Sequence, residues 1–210
     1  MGKLRVGVLV SGRGSNLQAL LDRSADPACP FSVAIVVSNH ADAFALTRAS
    51  AAGVATVVIE RRAYDSRRAQ QLAMVEALRR HEVDLVVLAG FDRVLVPEFV
   101  AAYPLRIINI HPSLLPAFAG GLHAQAEAFE YGVKVSGCTV HFVTDAVDGG
   151  PIIVQTPVPV LEDDSIETLA ARILVEEHKA LPLAVELIAR GQVSVEGRRA
   201  RIAPSPSGHE

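Results

Sequence analysis

The sequence predicts an α/β fold, a doubly wound and mostly parallel sheet whose N-terminal half is Rossmann-like. Three observations carry this. Short β-branched runs recur through the first half of the chain, helix-compatible stretches separate them, and a glycine-rich turn follows the first run. The runs lie at residues 6–10, 33–37, 55–59, 84–89 and 106–110. Continuous apolar runs of this length are expected to be buried on both faces, as in parallel sheets. Between them, helices are predicted over 16–23, 41–52 and 65–81, with a short turn at 97–102. The third helix sets Leu72, Val75 and Leu78 at helical spacing and leaves Arg67, Arg68, Arg79 and Arg80 for solvent. Past residue 110 the pattern loosens into a loop rich in Pro and Gly, a helix at 124–130 and strands at 138–143 and 152–157. Asp164-Ser165-Ile166-Glu167 reads as a helix start, with a side-chain oxygen as cap and Glu167 reaching back. That helix is expected to reach Arg190, stop at Gly191 and kink at Pro182. Residues 193–202 suit a small hairpin around Gly197, and 203–210 a frayed tail. No internal repeat and no dividing linker is present, so residues 1–202 are expected to form a single domain.

Composition narrows the function classes. Of 210 residues half are hydrophobic, enough for a sizeable core. Twenty Lys and Arg face 23 Asp and Glu, a formal charge of -3 with no block of either sign, which argues against a nucleic-acid or membrane-surface binder. Cys29 and Cys138 lie far apart and form no Cys-x-x-Cys pair, so buried free thiols and no metal site are expected. Met1-Gly2-Lys3-Leu4-Arg5 runs straight into a strand pattern without the apolar segment of a signal peptide, and no apolar run reaches the ~18 residues of a membrane span. A cytoplasmic protein is expected.

Three motifs can carry chemistry. Ser11-Gly12-Arg13-Gly14-Ser15-Asn16 sits between the first strand and the first helix, where glycines let the backbone approach an anion and the helix N-terminus offers free N–H groups. The third glycine of a dinucleotide fingerprint is missing and the second strand ends at Ser38-Asn39-His40 without an acid, so a phosphate fits better than NAD. A plain β–α turn would also use these residues. Asn109-Ile110-His111-Pro112-Ser113-Leu114-Leu115-Pro116 follows a buried strand at its carboxyl end, the ligand edge of open α/β sheets. Strand alternation sends Asn109 and His111 to one side, where an amide and an imidazole can stabilise an oxyanion. A structural, hydrogen-bonded histidine is the alternative. In Thr144-Asp145-Ala146-Val147-Asp148-Gly149-Gly150-Pro151 the Asp148 carboxylate can pair with a histidine and relay protons, or simply close an Asx turn. His141, just before that loop, can support such a pair or merely pack. Glu176-Glu177-His178-Lys179 lacks the second histidine of a metal helix, and no Gly-x-Ser-x-Gly elbow supports a serine nucleophile.

Together these motifs resemble the phosphoribosylglycinamide formyltransferases. The likeness runs from Val6 to about residue 190 and also draws on Leu88-Ala89-Gly90-Phe91, Gly137-Cys138-Thr139-Val140-His141-Phe142-Val143 and Asp148-Gly149-Gly150-Pro151-Ile152-Ile153. The Asn-x-His-Pro-Ser-Leu-Leu-Pro signature marks folate-dependent formyl-handling enzymes as a group. Methionyl-tRNA formyltransferase and formyltetrahydrofolate deformylase normally carry a further domain, for which this length leaves no room. The resemblance implies transfer of the formyl group of 10-formyltetrahydrofolate, a cosubstrate, to the amine of glycinamide ribonucleotide in purine biosynthesis, by a monomer or weak homodimer. It implies Asn109, protonated His111 and Asp148 as catalytic residues. Gly12, Arg13, Gly14, Ser15 and Asn16 would hold the phosphate, and Glu177 the glycinamide or ribose end. Arg93, Val94, Leu95, Asn109, Val143 and Asp148 would meet the folate, with His141 and Ser113 as supporting partners. A formyltetrahydrofolate hydrolase and a non-catalytic nucleotide-binding module are the competing readings. Three positions depart from the family's pattern: Asp92 where an apolar residue is usual, Ala119-Gly120-Gly121 in place of a shorter Pro-Gly, and Leu174 where a polar or basic residue assists the phosphate.

Overall fold

The computed structural model describes residues 2–203; the rest of the tail anticipated from sequence lies outside the described residues. One nine-stranded sheet runs through it in the order β3-β2-β1-β4-β5-β6-β7-β9-β8. Its first half is parallel: β1 (Leu4–Val10), β2 (Phe31–Ser38), β3 (Ala55–Val58), β4 (Leu85–Leu88) and β5 (Ile107–His111). β6 (Val135–Phe142) then pairs antiparallel to β5, and β7 (Ile152–Pro159) antiparallel to β6. A hairpin of β8 (Val193–Glu196) and β9 (Arg199–Ile202) closes the far edge. Because β1 is flanked by both β2 and β4, the strand order reverses there, and the crevice at the carboxyl ends of these strands is the natural ligand position.

Side-chain alternation divides the core into two layers. On one face Val6, Val8, Val10, Val36, Val87, Ile108 and Val140 pack against α1 (Ser15–Ser24), α2 (Phe44–Ala51) and α6 (Ile166–Ala189), which contribute Leu17, Leu20, Ala45, Leu169, Leu181 and Val185. On the other, Leu9, Ile35, Val37, Val86, Leu88 and Ile107 pack against α3 (Arg67–Arg80) and α4 (Pro97–Ala102) through Met74, Leu78 and Phe99. Gly7 lies where α3 comes closest: a Cβ there would sit 2.4 Å from Leu78 Cδ2. α5 (Ala124–Tyr131) follows the loop after β5 and rests on the first layer through Phe129.

Two local expectations need correction. β3 is not buried on both faces: it is the sheet's edge, and Ala55, Thr56 and Val58 are exposed. The partner that reaches back in the α6 capping box is Thr168, whose hydroxyl accepts from the Ser165 N–H at 2.8 Å, while Glu167 accepts from the Ser165 hydroxyl at 2.7 Å. Thr168 takes that place because it stands three residues after the cap, as the motif requires. Pro182 lies inside α6, whose span continues past it to Ala189. Leu181 is fully buried, so Leu181→Ala should cost about 2–5 kcal/mol. Urea denaturation at constant slope measures this, with the thermal midpoint falling by several degrees.

Candidate active site

β5 ends in a core strand whose last turn of pleat carries the site. Ile110 enters the core, while Asn109 and His111 stand on the opposite side. Antiparallel β6 sets His141 opposite Asn109 and Thr139 opposite His111. The loop between β6 and β7 then brings back Asp148, whose backbone sits at φ 49°, a left-handed turn that Asp tolerates. Gly150 is dictated by packing, since a Cβ there would meet the Phe142 carbonyl oxygen at 1.8 Å.

Asp148 lies between two imidazoles. Its Oδ2 is 3.4 Å from His111 Nδ1, and its Oδ1 is 3.5 Å from His141 Nε2, with all three side chains nearly or wholly out of solvent. Oδ2 also accepts the Gly120 backbone N–H at 2.8 Å. The carboxylate is therefore engaged by another loop and by two histidines, and the Asx-turn alternative does not describe it. Burial pushes its pKa up, but the His141 hydrogen bond, the Gly120 N–H and the neighbouring imidazoles outweigh that and hold it down at about 2. A pKa below the ordinary 3.8 means the native state binds this proton more weakly than the unfolded chain. The stabilisation is therefore complete above the ordinary value and is lost as pH falls through about 2.

Both nitrogens of His111 face acceptors. Nε2 donates to the Phe118 carbonyl at 2.9 Å and Nδ1 faces Asp148, so a ring protonated at both positions donates on both sides. His141 donates from Nδ1 to the Phe142 carbonyl at 2.9 Å, leaving Nε2 to face the Asn109 amide at 3.4 Å and Asp148. His141 thus touches Asn109 and Asp148 directly. Its position opposite Asn109 on a neighbouring strand is a signal that alternation alone does not reveal. Ser113 stands one step back: its hydroxyl donates to the Ala117 carbonyl at 2.6 Å, and the Thr139 hydroxyl donates to the Ser113 carbonyl at 2.6 Å. Gln155 adds a bond to the Leu115 carbonyl at 2.8 Å. Sequence reasoning overlooked Thr139, Gln155 and the Gly120 backbone because they act across long sequence separations, and the Phe118 carbonyl because the fold of the loop after β5 sets its direction.

The glycine-rich turn lies where β1 meets α1. Gly14 is left-handed (φ 70°), and a Cβ on it would be 2.6 Å from Ala45 Cβ, so the turn is tight for steric reasons as well. Gly12 and Arg13 are exposed, Ser15 is half-buried and Asn16 is buried. Asn16 Nδ2 donates to Glu177 Oε2 at 2.6 Å, joining α1 to α6, while Asn16 Oδ1 is buried without a partner. Burial raises the pKa of Glu177 against the lowering effect of that bond. Arg48 holds the loop through the Arg13 carbonyl at 2.9 Å. A cavity of about 730 Å³ opens beside Ser15, with Arg48, His178 and Lys179 in its wall.

The third group is divided. The Arg93 guanidinium and Val94 are exposed beside β4, and Val147 is exposed beside Asp148, whereas Val143 is half-buried. Leu95 is only 8 % exposed and packs in the core, because the chain turns inward there towards α4. Among the described residues no group of His, Cys, Asp and Glu is arranged to hold a metal, and no helix is long and apolar enough to cross a membrane.

Comparison with known proteins places this geometry. Residues 4–185 match the family model described as formyl transferase. The chain is 44% identical over 192 residues to phosphoribosylglycinamide formyltransferase of Escherichia coli strain K12, covering 91% of this chain and 90% of that protein. It is 46% identical over 200 residues to the trifunctional purine biosynthetic protein adenosine-3 of Bos taurus, covering 95% of this chain but only 20% of that much longer protein. The crystal structure of glycinamide ribonucleotide transformylase 1 from Symbiobacterium toebii superposes with a TM-score of 0.94 at 53% identity, over 96% of this chain and 95% of that one. With matches of this extent and level, the chain belongs to the formyl transferase family, among the phosphoribosylglycinamide formyltransferases.

Proposed function

We propose that this chain transfers the formyl group of 10-formyltetrahydrofolate to the amino group of glycinamide ribonucleotide. The observation that carries the reading is the buried Asp148 carboxylate between His111 and His141, with Asn109 beside them, at the same sheet edge as the glycine-rich turn. The turn fits a phosphate through the free N–H groups of α1 and the exposed Arg13. The unmet acceptor Asn16 Oδ1 beside Glu177 suits a hydroxyl or amine donor of the same ligand. Exposed Val94 and Val147 offer apolar surface to a flat ring, and the Arg93 guanidinium a countercharge to its carboxylates.

The chain's own groups supply the chemistry. The Asn109 amide and His111 Nε2 donate to the oxygen on which charge develops as the amine adds to the formyl carbon, worth roughly 3 kcal/mol per donor. For this, His111 exchanges its bond to the Phe118 carbonyl for one to the substrate. Asp148, a carboxylate across the working pH range, orients His111 and assists the proton's passage from the attacking amine to the leaving nitrogen. No covalent enzyme intermediate is required.

Absorbance at the deformylated folate, with and without glycinamide ribonucleotide, tests the proposal. Release should require the ribonucleotide and fall by at least about 10²-fold in His111→Ala. Release into water without the ribonucleotide would make the chain a hydrolase, and tight binding of both ligands without turnover would make it a binding module. Asp148→Asn should lower kcat by about 10²–10⁴-fold while the Kd of the ribonucleotide holds, since Asp148 touches none of the phosphate-turn residues. The same variant should lose its stability deficit against wild type in acid, as pH falls through about 2, read by chemical denaturation at stepped pH.

A further inference from the structure

Asp92 has no role in the chemistry above, and in sequence it is an acid beside the stretch that meets an anionic ligand. The structure turns its carboxylate the other way. Oδ1 accepts from the Asn39 side-chain amide at 2.7 Å, and Oδ2 faces His40 Nε2 at 3.1 Å. The hydroxyl proton of Ser11 is shared between Asn39 Oδ1 at 2.7 Å and Asp92 Oδ1 at 3.0 Å, and Ser11 Oγ in turn accepts the Asp92 backbone N–H at 2.9 Å. Arg93 Nε lies 3.5 Å from Oδ1. Burial works against the charge, but the bonds from Asn39, His40 and Ser11 and the nearby Arg93 prevail and hold the carboxyl below its ordinary range.

These partners come from the carboxyl ends of three strands. Ser11 follows β1 and opens the glycine-rich turn, Asn39 and His40 follow β2, and Asp92 follows β4 at the start of the Arg93–Val94–Leu95 stretch. The far end of that stretch is held too: Gln71 donates to the Val94 carbonyl at 3.0 Å and accepts the Val96 N–H at 2.7 Å. An apolar side chain at position 92 would leave the Asn39 and Ser11 donors without this acceptor at the point where the strand order reverses.

We propose that Asp92 is a positioning residue that locks the phosphate turn to the 93–95 stretch, so that each segment is held in its ligand-binding conformation at the switch point. The assignment of ligands to those two segments rests on the function proposed above. Asn109, His111 and Asp148 stand on β5 and on the β6–β7 loop, outside this lock, so binding depends on Asp92 and the chemical step does not.

The test combines calorimetry of glycinamide ribonucleotide and of a 10-formyl folate analogue, each alone, with steady-state kinetics and thermal midpoints. In Asp92→Ala, Kd and KM for both ligands should rise about tenfold while kcat stays within about threefold. Asp92→Asn keeps an oxygen for Asn39 and Ser11 and should restore both constants to within about threefold of wild type. A lower midpoint with unchanged Kd values would make Asp92 merely structural and overturn the proposal, as would a fall in kcat at unchanged binding. Asn as damaging as Ala would mean that charge, not geometry, matters, and would equally overturn it. If wild type binds both ligands but transfers nothing, the transferase reading falls while the binding arms still decide the role of Asp92. If wild type binds neither, both fall.

Discussion

A carboxylate removed from water is stable only where enough donors converge on it, and Asp148 obliges distant parts of the chain to supply them. His111 comes from β5, His141 from β6 and the Gly120 N–H from the loop leading to α5. None of the three is within six residues of Asp148 in sequence, so the site exists only when β5 and β6 are in register and the 117–121 loop is folded down. The register that aligns Asn109 with His141 is the same one that places Asp148 between the imidazoles. Geometry and electrostatics are in this respect one constraint.

The sheet divides the labour. Within its parallel half, β1, β2, β4 and β5 are covered by α1, α2 and α6 on one side and α3 and α4 on the other, and the half ends in turns that present backbone N–H groups. Its antiparallel continuation, β6 and β7, returns along β5 and folds side chains back over the end of that strand. Polar bonds tie the surroundings of the glycine-rich turn together: Asn16 to Glu177 between α1 and α6, and the Ser11, Asn39, His40 and Asp92 cluster across the ends of β1, β2 and β4. Such bonds fix distance and direction where apolar packing alone would tolerate sliding.

Local patterns were enough for most elements because the determining physics is local. β-branched runs marked β1, β2, β4 and β5, Gly191 marked the end of α6 at φ 67°, and Gly197 the β8–β9 turn at φ 57°. Errors arose where neighbours in space decide. The exposed edge strand β3 carries the same run of residues as a buried one, and nothing in its sequence says that no strand lies beyond it. Nor does the sequence show that Leu95, next to exposed Arg93 and Val94, is carried into the core by the turn into α4. Nothing local shows that the Asp92 side chain turns towards Ser11 and Asn39.

By itself, then, the sequence determined the α/β class and the order of elements, and it singled out candidate residues: Asn109 and His111 by strand alternation, Asp148 by its glycine-bound loop, and Gly14, Ser15 and Asn16 by their place before a helix. Only the tertiary structure decided which of these touch. It set His141 between Asn109 and Asp148, put the Phe118 carbonyl on His111 and the Gly120 N–H on Asp148, and turned Asp92 towards Ser11 and Asn39. Periodicity reports which face of an element a residue occupies, but a hydrogen bond depends on position and angle to within a fraction of an ångström, and that is set by how the whole sheet closes.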